Sequence, residues 1–297
     1  MKNSTIDRRA MARAFGAAAD TYDDAAALQA DVRQELLERT LELRHTPQVV
    51  IDLGAGTGAA TGQLKSMYPR ARVFAVDIAQ PMLQRAAARI SWFDRLWPWS
   101  HRRYACVAAD ARRLPFADGC VDLVFSSLML QWCDDLDVVL AEIRRVLSPR
   151  GLFIFSSLGP TTLIELREAW AAVDSHPHVN EFIDVHDLGS ALGRAGLIEP
   201  VLDVDRLIRR YPDVVALLRS LQAIGARNAL DQRNRGLTGR KSLQTLQRTY
   251  AALVGTETDV PATWEVVYGC CFGTADGRRA SGAPGEIAIP LARIGRR

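Results

Sequence analysis

The sequence predicts an α/β fold built on a mainly parallel sheet, and three observations indicate it. Short apolar runs alternate with segments of helical periodicity between residues 45 and 157. A loop with three glycines, at residues 54–58, joins the first apolar run to a helical segment, and glycines there let backbone N–H groups approach a ligand. Acidic or hydroxyl side chains stand at the ends of four apolar runs, where a parallel sheet binds its ligands.

The N-terminal region, residues 5–43, is rich in alanine and charge and predicts two helices. Phe15 and Tyr22 lie near the break between them. Both aromatic side chains are consistent with ordinary packing or with closure of a ligand pocket. Residues 1–44 are accordingly predicted to form an N-terminal helical lid.

The next part of the chain predicts five strands from its apolar and β-branched runs. Asp52 and Asp77 close the first two runs, and Pro81 opens the following helix because proline suits a first helical turn. The predicted strands span 48–53, 72–76, 104–108, 121–126 and 151–156. Between and beside them, helices are predicted at 57–68 and 137–147, and a turn at 149–151.

Residues 91–100 contain three tryptophans within eight residues. Such a segment is consistent with a small satellite core or with an exposed contact patch. Local packing is the favoured interpretation.

Beyond residue 157, strands predicted at 198–209 and 263–271 bring the sheet to seven strands. Helices are predicted at 161–174, 184–195, 212–226 and 242–253. The last two lie between the last two strands and predict a small helical cap at about 210–258. The predicted organisation is thus a main domain at 45–273 and a flexible tail at 274–297, which is rich in Gly, Ala and Arg.

The composition, 48% hydrophobic and 24% charged over 297 residues, is that of a soluble globular protein. No apolar run reaches the ~20 residues of a membrane helix, and the first residues lack the apolar stretch of a secretory signal. Five scattered cysteines argue against a disulfide framework or a zinc site. A cytoplasmic location and no metal are therefore expected.

Charge is unevenly distributed along the chain. The net charge of +3 is too small to argue for nucleic acid, but residues 201–250 carry ten Lys/Arg against four Asp. This basic segment is consistent with steering of an acidic partner or with a solvated helical surface.

The glycine loop by itself fits two cofactors. Residues 54–59 match the dinucleotide fingerprint, with Asp77 at a suitable distance for a ribose. Asp52, two residues before the first glycine, favours S-adenosylmethionine, because a carboxylate there repels a pyrophosphate and attracts the ammonium of a methionine group. Asp110, after the third predicted strand, suits an amino-purine edge. Asp52 is also consistent with a role in ordering the turn.

As a set, these residues resemble the class I S-adenosylmethionine-dependent methyltransferases, over about residues 45–157. The matching segments are D-L-G-A-G-T-G at 52–58, Asp77, Asp110 with L-P-F at 114–116, V-D-L-V at 121–124 and V-L-S-P-R-G at 146–151. The resemblance implies a Rossmann-like methyltransferase fold and S-adenosyl-L-methionine as cofactor.

A closer resemblance, over about residues 8–272, is to the malonyl-[acyl-carrier protein] O-methyltransferase family of biotin synthesis. It rests on A-F-G at 14–16 with Tyr22, S-L-M-L-Q-W-C at 127–133, E-L-R-E-A-W at 165–170, and the segments 173–182 and 218–226. The family implies methyl transfer to the free carboxylate of a malonyl group carried by acyl carrier protein, an acidic partner. The basic segment 201–250 is the candidate surface for that partner.

The resemblance also implies the residues of the site. The implied cofactor-binding residues are Asp52, Gly54, Ala55, Gly56 and Gly58 at the methionine end, Asp77 at the ribose, Ile78, Met82, Asp110 and Ala111 at the adenine, and Ser126 and Leu128 at the methyl-transfer end. The residues implied for the acceptor or the lid are Tyr22, Gln131, Trp132, His178, Arg219 and Arg227. No catalytic side chain is implied, because the substrate carboxylate is the nucleophile and is already anionic at pH 7.

Other functions fit parts of the sequence. The chain resembles, more distantly, an arginine-hydroxylating assembly factor of respiratory complex I, through segments 187–196 and 260–263, although Q-W-C at 131–133 favours the biotin enzyme. A methyltransferase acting on a small carboxylic acid, a non-catalytic cofactor-binding protein and an NAD oxidoreductase are the remaining alternatives.

Overall fold

Seven strands form one sheet in the computed structural model, which describes residues 7–96, 103–226 and 239–274. The strands are β1 (Val49–Leu53), β2 (Arg72–Asp77), β3 (Ala105–Ala108), β4 (Val121–Ser127), β5 (Leu147–Leu158), β6 (Ile198–Tyr211) and β7 (Val260–Phe272). Their order is β3-β2-β1-β4-β5-β7-β6. The first five pair in parallel, and β7 is antiparallel to both of its neighbours. The predicted α/β fold with a mainly parallel, seven-stranded sheet is confirmed.

Helices cover both faces of this sheet. They are α1 (Arg8–Ala18), α2 (Tyr22–Ala25), α3 (Ala27–Glu42), α4 (Ala59–Met67), α5 (Gln80–Arg89), α6 (Trp92–Leu96), α7 (Leu136–Val146), α8 (Ile164–Ala171), α9 (Val185–Arg194), α10 (Val214–Ala223) and α11 (Arg240–Val254). Several begin at an aspartate whose carboxylate accepts a hydrogen bond from an N–H of the first turn: Asp7, Asp135, Asp184 and Asp213. In the described ranges, no helix combines the length and apolarity needed to cross a membrane.

The core lies on both faces of the sheet. Every residue of β1 is buried, as expected for a parallel strand covered on both sides. One large apolar cluster joins Leu36 of α3 to Phe125 of β4, and a second large one joins Ile143 of α7 to Phe153 of β5. Because the central strands are held from both sides, the loops at their carboxyl ends start from fixed positions.

The helices predicted between the last two strands are present as α10 and α11, and residues 227–238 between them lie outside the described residues. Tyr250 of α11 is fully buried, and its hydroxyl donates to the carbonyl of Pro261 (2.7 Å). This contact ties α11 to the start of β7.

Strand β5 begins earlier than predicted. The turn predicted at 149–151 lies within the strand, where Arg150 has a φ of +60° and the pairing with β4 changes register. The N–H of Arg150 donates to the carbonyl of Gly273 (3.1 Å), and the N–H of Gly273 donates to Gly151 (2.8 Å). Hydrogen bonds from Gly273, more than 100 residues away, therefore keep this segment in the sheet although its sequence predicts a turn.

Trp92, in the tryptophan-rich segment, is not buried in a satellite core and packs only locally. This residue is 65% exposed, and its ring contacts that of Phe93, itself 64% exposed, at a distance of 4.3 Å between ring centres. The other two tryptophans of the segment, and the predicted tail from residue 275, lie outside the described residues.

Candidate active site

The glycine loop connects β1 to α4 and folds back onto β2. Gly54, Gly56 and Gly58 have φ values of +77°, +53° and +79°, which favour glycine over other residues. A Cβ on Gly54 would lie 2.5 Å from the Met129 side chain, and one on Gly58 would lie 2.6 Å from Ala86. A Cβ on Gly56 would meet no atom within 4 Å. Gly56 therefore presents its backbone to open space.

That open space is a cavity at the carboxyl ends of the parallel strands, with about 900 Å³ of empty volume. Helices α1 and α2 close one side of it. The predicted residues that line it are Gly54, Gly56, Asp77, Ile78, Met82, Asp110, Ala111, Leu128, Tyr22 and Trp132. The predicted residues that are described but do not line it are Asp52, Ala55, Gly58, Ser126, Gln131, His178 and Arg219.

Asp77 is a hydrogen-bond acceptor in the wall of the cavity. Its two carboxylate oxygens accept hydrogen bonds from the N–H groups of Gly56 (2.9 Å) and Ala79 (2.7 Å). Burial raises the pKa of Asp77, and these backbone hydrogen bonds oppose the rise. A carboxylate has about four lone-pair positions, so Asp77 retains acceptor capacity for hydroxyl groups such as those of a ribose.

Asp52 lies behind the glycine loop. It is 1% exposed, and its carboxylate accepts a short hydrogen bond from the hydroxyl of Thr61 (2.5 Å) in the first turns of α4. Burial raises the pKa of Asp52 to about 7, and the Thr61 hydrogen bond opposes this. The structure therefore supports a role in ordering the loop, while contact of Asp52 with a ligand ammonium stays a prediction.

Asp110, expected at the adenine edge, is held by two arginines. Arg112 donates to it in bidentate fashion (2.7 and 3.1 Å for the closest pairs), and Arg8 of α1 pairs with it at 3.3 Å. Arg8 also pairs with Asp134 at 3.2 Å. Neither arginine is among the predicted site residues. The Arg8 contact joins residues 102 positions apart, for which no local signal exists.

Three aromatic side chains, those of Phe15, Tyr22 and Trp132, line the cavity. Phe15 of α1 meets Trp132 edge-on at a ring distance of 5.1 Å. Burial raises the pKa of the Tyr22 hydroxyl to about 12, with Asp77 adding to the rise. Tyr22 is therefore a neutral hydrogen-bond donor at physiological pH.

At the end of β4 the neighbouring serines have different surroundings. Ser126 is fully buried and its hydroxyl donates to the carbonyl of Leu53 (2.9 Å), whereas Ser127 lines the cavity. Leu128, with a φ of +51°, also lines it, and its carbonyl accepts from the side-chain amide of Gln131 (2.7 Å). Gln131 thus supports the loop at the predicted methyl-transfer end.

Besides Gln131, two of the described residues predicted for the acceptor or the lid, His178 and Arg219, do not line the cavity. His178 stacks on Trp170 at a ring distance of 3.7 Å, and its Nε2 lies 2.8 Å from a carboxylate oxygen of Asp174. Arg219 is exposed on α10, and Arg227 lies outside the described residues.

The fold and this site define a class I methyltransferase, an enzyme that uses S-adenosylmethionine. The residues of the cavity fit that cofactor. The open backbone of Gly56, the carboxylate of Asp77 with its free lone pairs and the second carboxylate of Asp110 lie along one cavity. A family model described as a methyltransferase domain matches residues 51–155. The fold is also similar to that of the YcgJ protein from Bacillus subtilis, with a TM-score of 0.56 and 14% identity over 81% of this chain and 99% of that chain.

Sequence comparison gives the particular family. The chain is 46% identical over 264 residues to the malonyl-[acyl-carrier protein] O-methyltransferase of Methylovorus sp. (strain MP688), covering 89% of this chain and 88% of the relative. It is 46% identical over 263 residues to the protein of the same name from Laribacter hongkongensis (strain HLHK9), with the same coverage of both chains. This chain belongs to the malonyl-[acyl-carrier protein] O-methyltransferase family.

Proposed function

We propose that this protein transfers a methyl group from S-adenosylmethionine to the free carboxylate of malonyl-[acyl-carrier protein], the methyl ester being the starting unit for biotin synthesis in the cytoplasm. The observation that carries the proposal is the 46% identity to family members over 89% of the chain. The cavity beside the glycine loop supports it, because it joins a cofactor end to an aromatic end.

The reaction requires no acid or base catalysis from the protein. S-adenosylmethionine supplies the methyl group on a positively charged sulfur, and the malonyl carboxylate is already anionic at neutral pH. One carboxylate oxygen forms the new O–CH₃ bond as the S–CH₃ bond breaks, so no general base is needed. The contribution of the chain is alignment of the two reactants and exclusion of water.

Particular residues can provide that alignment. Asp77, Gly56 and Ile78 would hold the adenosine, and Leu128 lies at the edge where β4 ends. Phe15 and Trp132 would shield the acceptor from solvent, since their rings pack edge-on over the cavity. The hydroxyl of Tyr22, neutral at physiological pH, is available to donate a hydrogen bond.

We also propose that α1 and α2 act as a lid. In α1 only Met11 and Ala18 are buried. Phe15 and Tyr22 add partly buried apolar contacts. Ion pairs also hold the segment, including Arg89–Asp23 (2.5 Å) and Arg85–Asp20. Contacts of this kind are individually weak, so the segment can open to admit the cofactor and close over it.

The acidic carrier protein would dock on the basic segment 201–250. Arg209 and Arg210 are already paired, with Asp31 and Asp259 respectively. In the described part of the segment, the exposed basic residues for which no ion pair is seen are Arg206, Arg219, Arg240, Lys241 and Arg248. These side chains are the better candidates for attraction of an acidic partner.

Mass spectrometry of malonyl-acyl carrier protein after incubation with S-adenosylmethionine and the protein tests the proposed reaction. The expected product carries one additional methyl group. Malonyl-coenzyme A in parallel shows whether the carrier contributes. Cofactor binding without methylation of either thioester would contradict the proposed function.

A further inference from the structure

The arginines of the cavity are held in ion pairs. Among the described residues that line it, the basic ones are Arg8 and Arg112. Both pair with Asp110, and Arg8 pairs with Asp134 as well. An acceptor carboxylate that leaves water for this cavity needs hydrogen-bond donors in exchange. Since both arginines are already engaged with acids, the neutral donors of the lining are the groups left for it.

The reaction itself favours neutral donors at the acceptor carboxylate. This carboxylate brings one negative charge, and methyl transfer from a positively charged sulfur cancels both charges. A cation held against the carboxylate would stabilise the charged reactants more than the less charged transition state, which would slow the chemical step. A hydroxyl can orient the carboxylate without adding a charge, so its effect on the barrier is smaller.

Ser127 presents such a hydroxyl at the carboxyl end of β4. It lies between Ser126 and Leu128, the two residues predicted for the methyl-transfer end, and it lines the cavity. Ser126 is fully buried, and its hydroxyl is used by the carbonyl of Leu53 (2.9 Å). Leu128, with a φ of +51°, turns the chain directly after Ser127. The hydroxyl of Ser127 therefore stands where the strand ends and the cavity begins.

A chain of hydrogen bonds leaves the hydrogen of the Ser127 hydroxyl free to be donated. The N–H of Leu128 donates to the hydroxyl oxygen of Ser156 on β5 (3.1 Å), the residue that pairs with Ser127 across the two strands. Ser156 is fully buried, and its hydroxyl donates to that of Ser127 (3.4 Å). In the described part of the chain, no acceptor is seen for the hydrogen of Ser127. Because each hydroxyl accepts one hydrogen bond and donates the next, the last hydrogen is available to a ligand in the cavity.

We propose that Ser127 donates a hydrogen bond to one oxygen of the free malonyl carboxylate and so aims the other oxygen at the methyl group. Ser156 is a positioning residue, since it acts through Ser127. The inference rests on the proposed function and names the group that recognises its acceptor. A neutral donor explains how a cavity whose arginines are both paired binds an anion and still lets it react.

The test compares two carrier-protein thioesters that differ only at the carboxylate. Acetyl-acyl carrier protein lacks the carboxylate that malonyl-acyl carrier protein carries. Titration calorimetry measures the binding of each to the protein saturated with S-adenosylhomocysteine, so that no methyl transfer occurs. Ser127→Ala is expected to weaken the malonyl thioester by about tenfold or more, as for loss of a hydrogen bond to a charged group. The same variant should bind the acetyl thioester within about threefold of the wild type.

Three further variants separate the hydrogen bond from packing. Ser127→Cys keeps the shape of the side chain but has only a weak S–H donor, so it should lose nearly as much malonyl affinity as the alanine variant. Ser156→Ala removes the relay, while the N–H of Leu128 keeps the carbonyl of Ser156 (3.1 Å); a smaller loss, confined to the malonyl thioester, is expected. Ser148→Ala is the matched control, because this hydroxyl at the start of β5 donates to Asp122 (2.9 Å) away from the cavity. It should bind both thioesters as the wild type does.

Equal weakening of both thioesters by Ser127→Ala would overturn the proposal and assign Ser127 a role in packing. Unchanged malonyl affinity in Ser127→Ala or in Ser127→Cys would overturn it as well. A wild-type protein that methylates malonyl-acyl carrier protein but binds the two thioesters alike would refute this inference alone. A wild-type protein that binds S-adenosylhomocysteine but methylates no malonyl thioester would refute the proposed function together with it.

Discussion

Replacement of Asp77 by alanine tests the cofactor site most directly. The carboxylate uses two lone-pair positions for the N–H groups of Gly56 (2.9 Å) and Ala79 (2.7 Å), which leaves about two for the ribose hydroxyls. A hydrogen bond to a charged group contributes about 1.5–3 kcal/mol. Loss of two predicts about 3–6 kcal/mol, or an affinity for S-adenosylmethionine lower by about 10²- to 10⁴-fold.

The free energy of unfolding of the unliganded protein should fall much less than its free energy of cofactor binding. Removing the carboxylate leaves two partly buried N–H donors unpaired, which costs about 1–3 kcal/mol each at most. It also removes a charge that burial disfavours, as the raised pKa of Asp77 shows. The two effects oppose each other, so affinity and stability should separate.

Titration calorimetry with S-adenosylmethionine and S-adenosylhomocysteine measures the affinity, and urea unfolding measures the stability. Asp118→Ala is a matched control, since this exposed carboxylate pairs with Arg145 (2.6 Å) away from the cavity. Asp77→Asn, which keeps one acceptor oxygen, should fall between the wild type and the alanine variant. Dissociation constants of Asp77→Ala within threefold of the wild type would refute the assignment of Asp77 to the ribose.

Three other variants test the lid, the buried acid and the docking surface. Arg8→Gln removes two partly exposed ion pairs of about 0.5–1 kcal/mol each, so cofactor affinity should fall about tenfold at low salt. The difference in cofactor affinity between the wild type and Arg8→Gln should shrink in 0.5 M salt, because salt screens the ion pairs of the wild type. An unchanged difference would contradict the proposal that α1 acts as a lid. Asp52→Asn should raise the free energy of unfolding more at pH 8 than at pH 5. The pKa of Asp52 is about 7 in the folded protein and lower in the unfolded chain. Its carboxylate therefore lowers the free energy of unfolding of the wild type progressively as pH rises from about 4 to 7. Urea unfolding in which Asp52→Asn gains the same stability at both pH values would disprove this. Charge reversal of Arg219 and Lys241 together should raise KM for malonyl-acyl carrier protein and spare malonyl-coenzyme A, whereas an equal rise for both substrates would exclude docking there.

Much of the cofactor side of the site was predictable because its signals are local. The strand, glycine loop and helix at the start of the sheet follow from consecutive residues, and Asp77 ends the next strand only 21 positions after Gly56. Parallel strands deliver their carboxyl ends to one edge. The placement of Gly56, Asp77 and Asp110 around one cavity followed from strand ends alone.

Local sequence signals did not predict which of two neighbouring residues lines the cavity. Ser126 was the predicted cavity residue, but Ser127 lines the cavity while Ser126 binds the carbonyl of Leu53. Side chains alternate between the faces of a strand, and only the packing at its end decides which one faces the ligand. His178 was predicted near the acceptor, yet its ring is held by Trp170 and Asp174.

The sequence by itself determined the order of strands and helices, the glycine loop and the class of cofactor, because these depend on residues close together in the chain. Only the tertiary structure decided which charges meet. Arg8 reaches Asp110 across 102 positions, and Arg33 reaches Gln63 across 30. Whether an arginine is paired or free depends on how helices pack over the sheet. Packing of this kind is settled by the whole apolar core, and no local pattern of charged residues encodes it.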